Sequence, residues 1–190
     1  MTKANYFLFL LCLLFLFFKI YAIYVTDLDL FGDEAQYWLW SQNLDLGYYS
    51  KPPLLAWVIA LVCSLFGNSV FVIKIISVFM YCATSYIIFL ITNKLFKNNL
   101  LAIITALSFF VMPGVTVSSF IISTDVLLIL FWSLSVLQLL KIKEIPNIFN
   151  FILLGIFIGI AFLAKYVAIY FILCTIVLLW LDKDIRYIFF

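Results

Sequence analysis

"GDEAQYWLWSQNLDLGYYSKPPLLAWVIALVCSLFG", residues 32–67, sets two adjacent carboxylates, Asp33 and Glu34, into a chain that is otherwise strongly apolar. Its closing run, Leu54 to Phe66, would reach only about 20 Å as a helix at 1.5 Å per residue, too short for a bilayer core of about 30 Å. Prolines stand at its start and Gly67-Asn68 at its end, ordinary start and stop signals for a helix. The run is therefore expected to lie in the membrane interface. Ahead of it, "DEAQYWLWSQ" reads as another helix, and its Tyr37, Trp38 and Trp40 suit the headgroup level.

Working outward, composition names the solvent. Apolar residues make up 68% of the 190, aromatic residues 20% and charged residues only 11%, with a mean hydropathy of +1.27. A soluble domain carries about a quarter charged residues. The fold class expected is all-α integral membrane, with about six spans of roughly 20 residues. They fall at about Tyr6–Val25, Val70–Thr92, Leu100–Phe120, Val126–Leu140, Ile148–Ala164 and Val167–Leu181, with residues 26–69 forming the first outer loop. The first run is too long for a signal peptide and has no small-x-small cleavage site, so it reads as an uncleaved span. Ile148 to Leu181 is long for one crossing and short for two, which calls for a tight reversal near Lys165. Cys12, Cys63, Cys82 and Cys174 show no CxxC spacing, so neither a zinc site nor a disulfide framework is indicated. The chain has no histidine, which removes imidazole bases and HExxH metal chemistry.

Orientation follows from the cations. With the N-terminus in the cytoplasm, Lys3, Lys94, Lys97, Lys141, Lys143, Lys183 and Arg186 lie on the cytoplasmic side, as the positive-inside rule asks. Asp27, Asp29, Asp33, Glu34, Asp45, Lys51, Asp125 and Lys165 then gather on the opposite side.

Each of these has two readings. Asp33 and Glu34 either complement the positive end of a helix dipole or include a general base that takes a proton from an acceptor hydroxyl. Lys51, held extended by the prolines after it, either snorkels to lipid phosphates or holds the phosphate of a lipid substrate. Asp125 either completes a helix start with Ser123 and Thr124 or faces a functional cavity, since acids inside a bilayer are expensive. Lys165 is an interfacial anchor or a second cation in the site. Lys19 and Lys74 read as snorkelling, and the GxxxG spacing of Gly155 and Gly159 as close helix packing. Two or three acids and two cations on one face suit a substrate that carries both a phosphate and a hydroxyl.

The block from Asp33-Glu34 to Lys51-Pro-Pro resembles the first outer loop of the polyprenyl-phosphate-sugar-dependent membrane glycosyltransferases, glycosyltransferase family 39, which include protein O-mannosyltransferases and lipid A aminoarabinose transferases. "STDVLLILFWSLSVLQLL" and "GIAFLAKYVAIY" resemble later stretches of that family in the same order. The resemblance implies a GT-C type helical bundle. It makes Asp33 the catalytic acid of an Asp-Glu motif, with Glu34 and Asp125 beside it as catalytic residues, and Lys51 the lysine near the lipid phosphate. Lys165 matches a basic position after the fifth span; with Lys51 and Tyr37 it is taken as substrate-binding. Ser50 departs from the pattern, since many relatives have an acid there.

The implied reaction moves a sugar from a polyprenyl phosphate to a lipid, glycan or protein acceptor at the outer face of the plasma (inner) membrane, in one displacement and hence with inversion. Lysine charge would stabilise the departing phosphate. No cofactor is required; a divalent cation on Asp33 and Glu34 would suit oxygen ligands, but nothing demands it. Family members continue well past residue 190, so the chain is expected to be the front part of such an enzyme. The alternatives are a non-catalytic remnant, one piece of an enzyme completed by a second polypeptide, or a transporter with an intramembrane acid relay.

Overall fold

The computed structural model describes residues 3–26, 28–182 and 186–187. Asp27 and Lys183, and the side chain of Lys3, lie outside what is described, so their expected places on the two sides are not addressed. Among the described residues the chain is helical, with no strand. The helices are α1 (Lys3–Val25), α2 (Gly32–Gln42), α3 (Leu54–Phe66), α4 (Val70–Phe96), α5 (Asn99–Val111), α6 (Pro113–Ser118), α7 (Thr124–Glu144), α8 (Ile148–Ala164) and α9 (Ile169–Leu181).

Polar residues between the apolar runs start several of these helices. Ser69 caps α4 by accepting from the Val72 N–H, Asn98 caps α5 through Leu101, and Asn147 caps α8 through Asn150. α3 ends at Gly67, whose φ of 90° is open to glycine at little steric cost. By length and apolarity α4 and α7 can cross a membrane; the stretch Leu10–Val25 of α1, α5, α8 and the segment Tyr166–Leu181 are apolar and shorter.

Ion pairs fix the directions in which the helices run. Lys94 near the end of α4 pairs with Glu144 at the end of α7, so these two run parallel. Lys165, just after α8, meets Asp125 at the start of α7 at 2.6 Å, while Lys143 at the end of α7 meets Asp182, just after α9, at 3.1 Å. α8 and α9 are therefore antiparallel, and the chain reverses through extended Lys165 (φ −159°, ψ 134°) and the 3-10 turn Tyr166–Ala168. α2 and α3 cover the end of the bundle where α4 and α7 begin. There Tyr37, Leu55, Ile59, Ile122, Leu127 and Ala164 share one buried cluster.

The sequence run 100–120 is not one helix. Pro113 has no N–H and its ring collides with the carbonyl four residues back, and Met112 before it is forced to φ −50°, ψ 133°. α5 stops at Val111, and the carbonyls this frees find other donors: the Met112 N–H also reaches the Phe109 oxygen at 3.3 Å and the Thr116 hydroxyl donates to the Val111 oxygen at 3.3 Å.

Lys19 supplies another donor, and here the snorkelling expectation fails. Its side chain is fully buried, its ammonium donates to the Phe110 carbonyl at 2.8 Å, and it sits 4.0 Å from the centroid of the Phe110 ring. Lys74 is buried too, with its ammonium donating to the Asp29 carbonyl at 3.0 Å and facing Glu34 at 3.5 Å. In both cases a nearby acceptor inside the protein replaces the distant headgroup. The helix-packing reading of Gly155 and Gly159 also fails among the described residues, because a Cβ built at either would meet nothing within 4 Å.

Lys19→Met is expected to leave the Phe110 carbonyl a buried acceptor with no donor, a loss of about 1–3 kcal/mol. Thermal unfolding in detergent should show a lower midpoint than wild type, whereas Lys141→Met, at an exposed position, should not move it.

Candidate active site

The two adjacent acids part company at the start of α2. Glu34, in the third helical position after Phe31, is fully buried; its Oε2 accepts from the Phe31 N–H at 2.9 Å and its Oε1 from the Ile122 N–H at 2.7 Å. Half of that arrangement is the return arm of a capping box, in which an acid reaches back to the residue before its helix. Asp33, one position earlier, is exposed, and among the described residues its carboxylate has no hydrogen bond or ion pair. With both Glu34 oxygens engaged by N–H groups and Lys74 beside them, the pair does not present oxygen ligands to one shared cation. Among the described residues no cluster of three or more Asp, Glu, Cys or His side chains is assembled to hold a metal.

Tyr37 follows Asp33 by one helical turn, so their side chains share a face of α2. The ring is buried, 5.7 Å from that of Trp40, which in turn stacks on Tyr48 at 4.7 Å. Burial pushes the Tyr37 phenol above its ordinary value, and the nearby charges of Asp33 and Asp125 push it the same way, against a hydrogen bond with Thr124. Tyr37 is thus the point where the start of α2 and the start of α7 meet. Asp125 lies in the first turn of α7, paired with Lys165 from the α8–α9 reversal. The pair is open to solvent, with 48% of the Asp125 side chain and 29% of the Lys165 side chain exposed.

Asp33, Tyr37, Asp125 and Lys165 therefore form one group. Lys51 stands apart: no hydrogen bond or ion pair joins its ammonium to these residues or to any other described residue. Its place is fixed by the loop instead. The Lys51 carbonyl accepts from the Tyr48 N–H at 3.2 Å, the Tyr48 hydroxyl reaches the Trp40 carbonyl at 3.0 Å, and the Trp57 indole N–H donates to Asp45 at 2.9 Å. These bonds hold the loop between α2 and α3 and leave the Lys51 charge uncompensated at the start of α3.

Two partners escaped the sequence. Lys74 carried a usable signal, a cation four residues into an apolar run, but its target, Glu34, lies forty positions away. The Ile122 N–H carried none, since any residue has a backbone donor. A cavity of about 320 Å³ is walled by Ala22, Ile23, Phe31, Lys74, Phe120 and Ile121 among others. Neither Asp33 nor Asp125 lines it.

Comparison with known proteins shows what the chain is similar to. Residues 50–189 match the family model described as dolichyl-phosphate-mannose-protein mannosyltransferase, a span that takes in Lys51, Asp125 and Lys165 and stops short of Asp33, Glu34 and Tyr37. A lipid A galacturonosyltransferase of Rhizobium johnstonii is 35% identical over 162 residues, which are 85% of this chain and 34% of that protein. An undecaprenyl phosphate-alpha-4-amino-4-deoxy-L-arabinose arabinosyl transferase of Wigglesworthia glossinidia brevipalpis is 29% identical over 130 residues, 64% of this chain and 22% of that protein. The chain thus spans about a third or less of the length of these relatives. No solved structure matches it.

The surroundings of Tyr37 can be checked by titration. A difference titration of wild type against Tyr37→Phe, followed at the phenolate absorption band, should give a midpoint above 10.0, and Asp125→Asn should lower it. A raised folded value means that the contribution of the neutral phenol to stability is full below the unfolded value of about 10 and is lost as pH rises through the folded one. A midpoint at or below 10.0 would contradict the buried setting of the phenol, and a midpoint that Asp125→Asn leaves unmoved would remove that carboxylate from its surroundings.

Proposed function

The chain belongs to the dolichyl-phosphate-mannose-protein mannosyltransferase family, and from that premise we propose that it is the acid-bearing front part of a membrane glycosyltransferase. Its donor is a sugar on a polyprenyl phosphate, and its acceptor is a hydroxyl of a lipid, glycan or protein. The names of the two relatives favour this class, one specifying an undecaprenyl phosphate-linked sugar and the other lipid A.

The observation that carries the reading is the contrast between the adjacent acids. Glu34 is fully buried with each oxygen already accepting a backbone N–H, whereas Asp33 is exposed and, among the described residues, keeps both oxygens unengaged beside a buried tyrosine and an open Asp125–Lys165 pair. Asp33 takes the proton from the acceptor hydroxyl, whose oxygen bonds to the anomeric carbon as the bond from that carbon to the phosphate oxygen breaks. The electron pair leaves with the lipid phosphate, and the uncompensated Lys51 ammonium meets the charge that develops there. A single displacement inverts the anomeric carbon. Tyr37 and Lys165 line the space in which the sugar is held, and Asp125 sets the position of Lys165.

The membrane placement belongs to the same proposal. Lys94, Lys97, Lys141 and Lys143 lie at the end of the bundle opposite α2 and α3, so the positive-inside rule puts the α2–α3 end at the outer face. Six spans follow if α1, α4, α5 with α6, α7, α8 and α9 all cross, which their alternating directions allow; the host would be the plasma (inner) membrane.

Asp33→Asn tests the reading. Sugar transfer from a polyprenyl-phosphate donor, measured in membranes, should fall by about 10²–10⁴-fold, the usual worth of a general base, while the protein still inserts. Transfer that continues at the wild-type rate would take Asp33 out of the mechanism.

A further inference from the structure

Glu34 is the one fully buried acid among the described residues, and what it touches is unusual in its economy. Its two oxygens reach backbone donors on either side, Phe31 at the start of α2 and Ile122 in the connection that leads into α7. The same peptide unit is gripped from its other edge, because the Ile121 carbonyl accepts from the Ser77 hydroxyl of α4 at 3.0 Å. Lys74, one turn before Ser77 on α4, faces the Glu34 Oε2 at 3.5 Å and donates to the Asp29 carbonyl in the connection from α1. The Phe31 ring, 5.1 Å from the lysine ammonium, closes the group.

The anchor points matter because of what neighbours them. Asp33 precedes Glu34 directly, and Asp125 follows Ile122 by three residues. One side chain therefore joins the two backbone segments that carry the unengaged acid and the Lys165 partner. From this geometry we infer that Glu34 is a positioning residue: with Lys74 and Ser77 it clamps the 121–122 peptide to the start of α2 and so sets how far apart Asp33 and Asp125 stand across Tyr37. It acts through the backbone and touches no reacting atom. This inference deepens the glycosyltransferase reading and rests on it for the reaction that the two acids serve.

An amide at position 34 presents a single acceptor oxygen to two N–H donors, so Glu34→Gln loosens one anchor while keeping size and shape. The geometry is read without any assay of activity. In full-length protein with Cys174→Ser removing the exposed native thiol, Asp33→Cys and Asp125→Cys are joined in membranes by a short bismaleimide. Adding Glu34→Gln should lower the crosslink yield severalfold. Ser77→Ala, which frees the other edge of the same peptide, should lower it less. Where Glu34→Gln alone does not fold, Glu34→Gln with Lys74→Met removes both buried charges and is used in its place, with the same loss of yield expected.

With Asp33 and Asp125 intact, Glu34→Gln should cut kcat for sugar transfer by about 10²-fold, the scale of an ångström of misplacement, and leave KM for the donor nearly unchanged. A crosslink yield that stays at the wild-type level in both Glu34 variants overturns the clamp, whatever happens to transfer. A yield that falls in a protein whose wild type transfers no sugar leaves the clamp standing and removes the transferase reading instead.

Discussion

A carboxylate with no exposed surface must find a donor for each oxygen, because removing it from water costs several kcal/mol that Coulomb attraction alone seldom returns. Glu34 meets that demand with two backbone N–H groups and a buried lysine, and the rest of the site is arranged around the solution. The lysine comes from α4, one N–H from the cap of α2 and the other from the connection into α7. Removing one partner of such a pair strands the other in the interior at about 3–5 kcal/mol, a large fraction of the 5–15 kcal/mol by which domains are commonly stable. The place where α2 settles on the bundle is thus decided chiefly by charge and hydrogen bonds, with the apolar cluster of Tyr37, Leu55, Ile59 and Ile122 packing around them.

The same demand recurs wherever a helix breaks. A backbone group without a partner is costly in an apolar setting, so an interruption either recruits a side chain or closes on nearby backbone. At Pro113 the donors are Lys19 and the Thr116 hydroxyl. At the α8–α9 reversal the exposed backbone is short, since the Lys165 N–H still reaches the Ala161 carbonyl at 2.9 Å and the Ala168 N–H closes on the Lys165 carbonyl at 3.0 Å. The polar residues of the apolar runs are therefore stitches between helices more than contacts with headgroups.

This explains what was legible in the sequence. Prolines, glycines and apolar runs act locally, so the helix at Leu54–Phe66, the start of α7 near Asp125 and the turn at Lys165 could be read from neighbouring residues. The interruption at Pro113 was equally local, and an overall apolar run of crossing length hid it. Lys19 and Lys74 were misread because a lysine's reach is the same whether its target is a phosphate outside or a carbonyl inside, and nothing within a few residues of either one says which is nearer. Asp33 and Glu34 are adjacent and chemically alike, yet they differ completely in burial; helical geometry sends neighbouring side chains about 100° apart, and only the position of α4 and the 121–122 peptide decides which of them is enclosed.

Magnitude separates the two charged pairs at this end of the bundle. The Lys74–Glu34 pair is shut away from water, so it cannot open without leaving charge uncompensated. The Lys165–Asp125 pair is shorter, at 2.6 Å, but 29% and 48% of its side chains are exposed, and solvent screening leaves such a pair worth about 0–1 kcal/mol. The closer contact is the weaker constraint. A cation held that lightly can exchange its carboxylate for another anion at little cost, whereas the buried lysine cannot. The fold is thus secured by the enclosed acid, Glu34, while its neighbours Asp33 and Asp125 remain open to solvent.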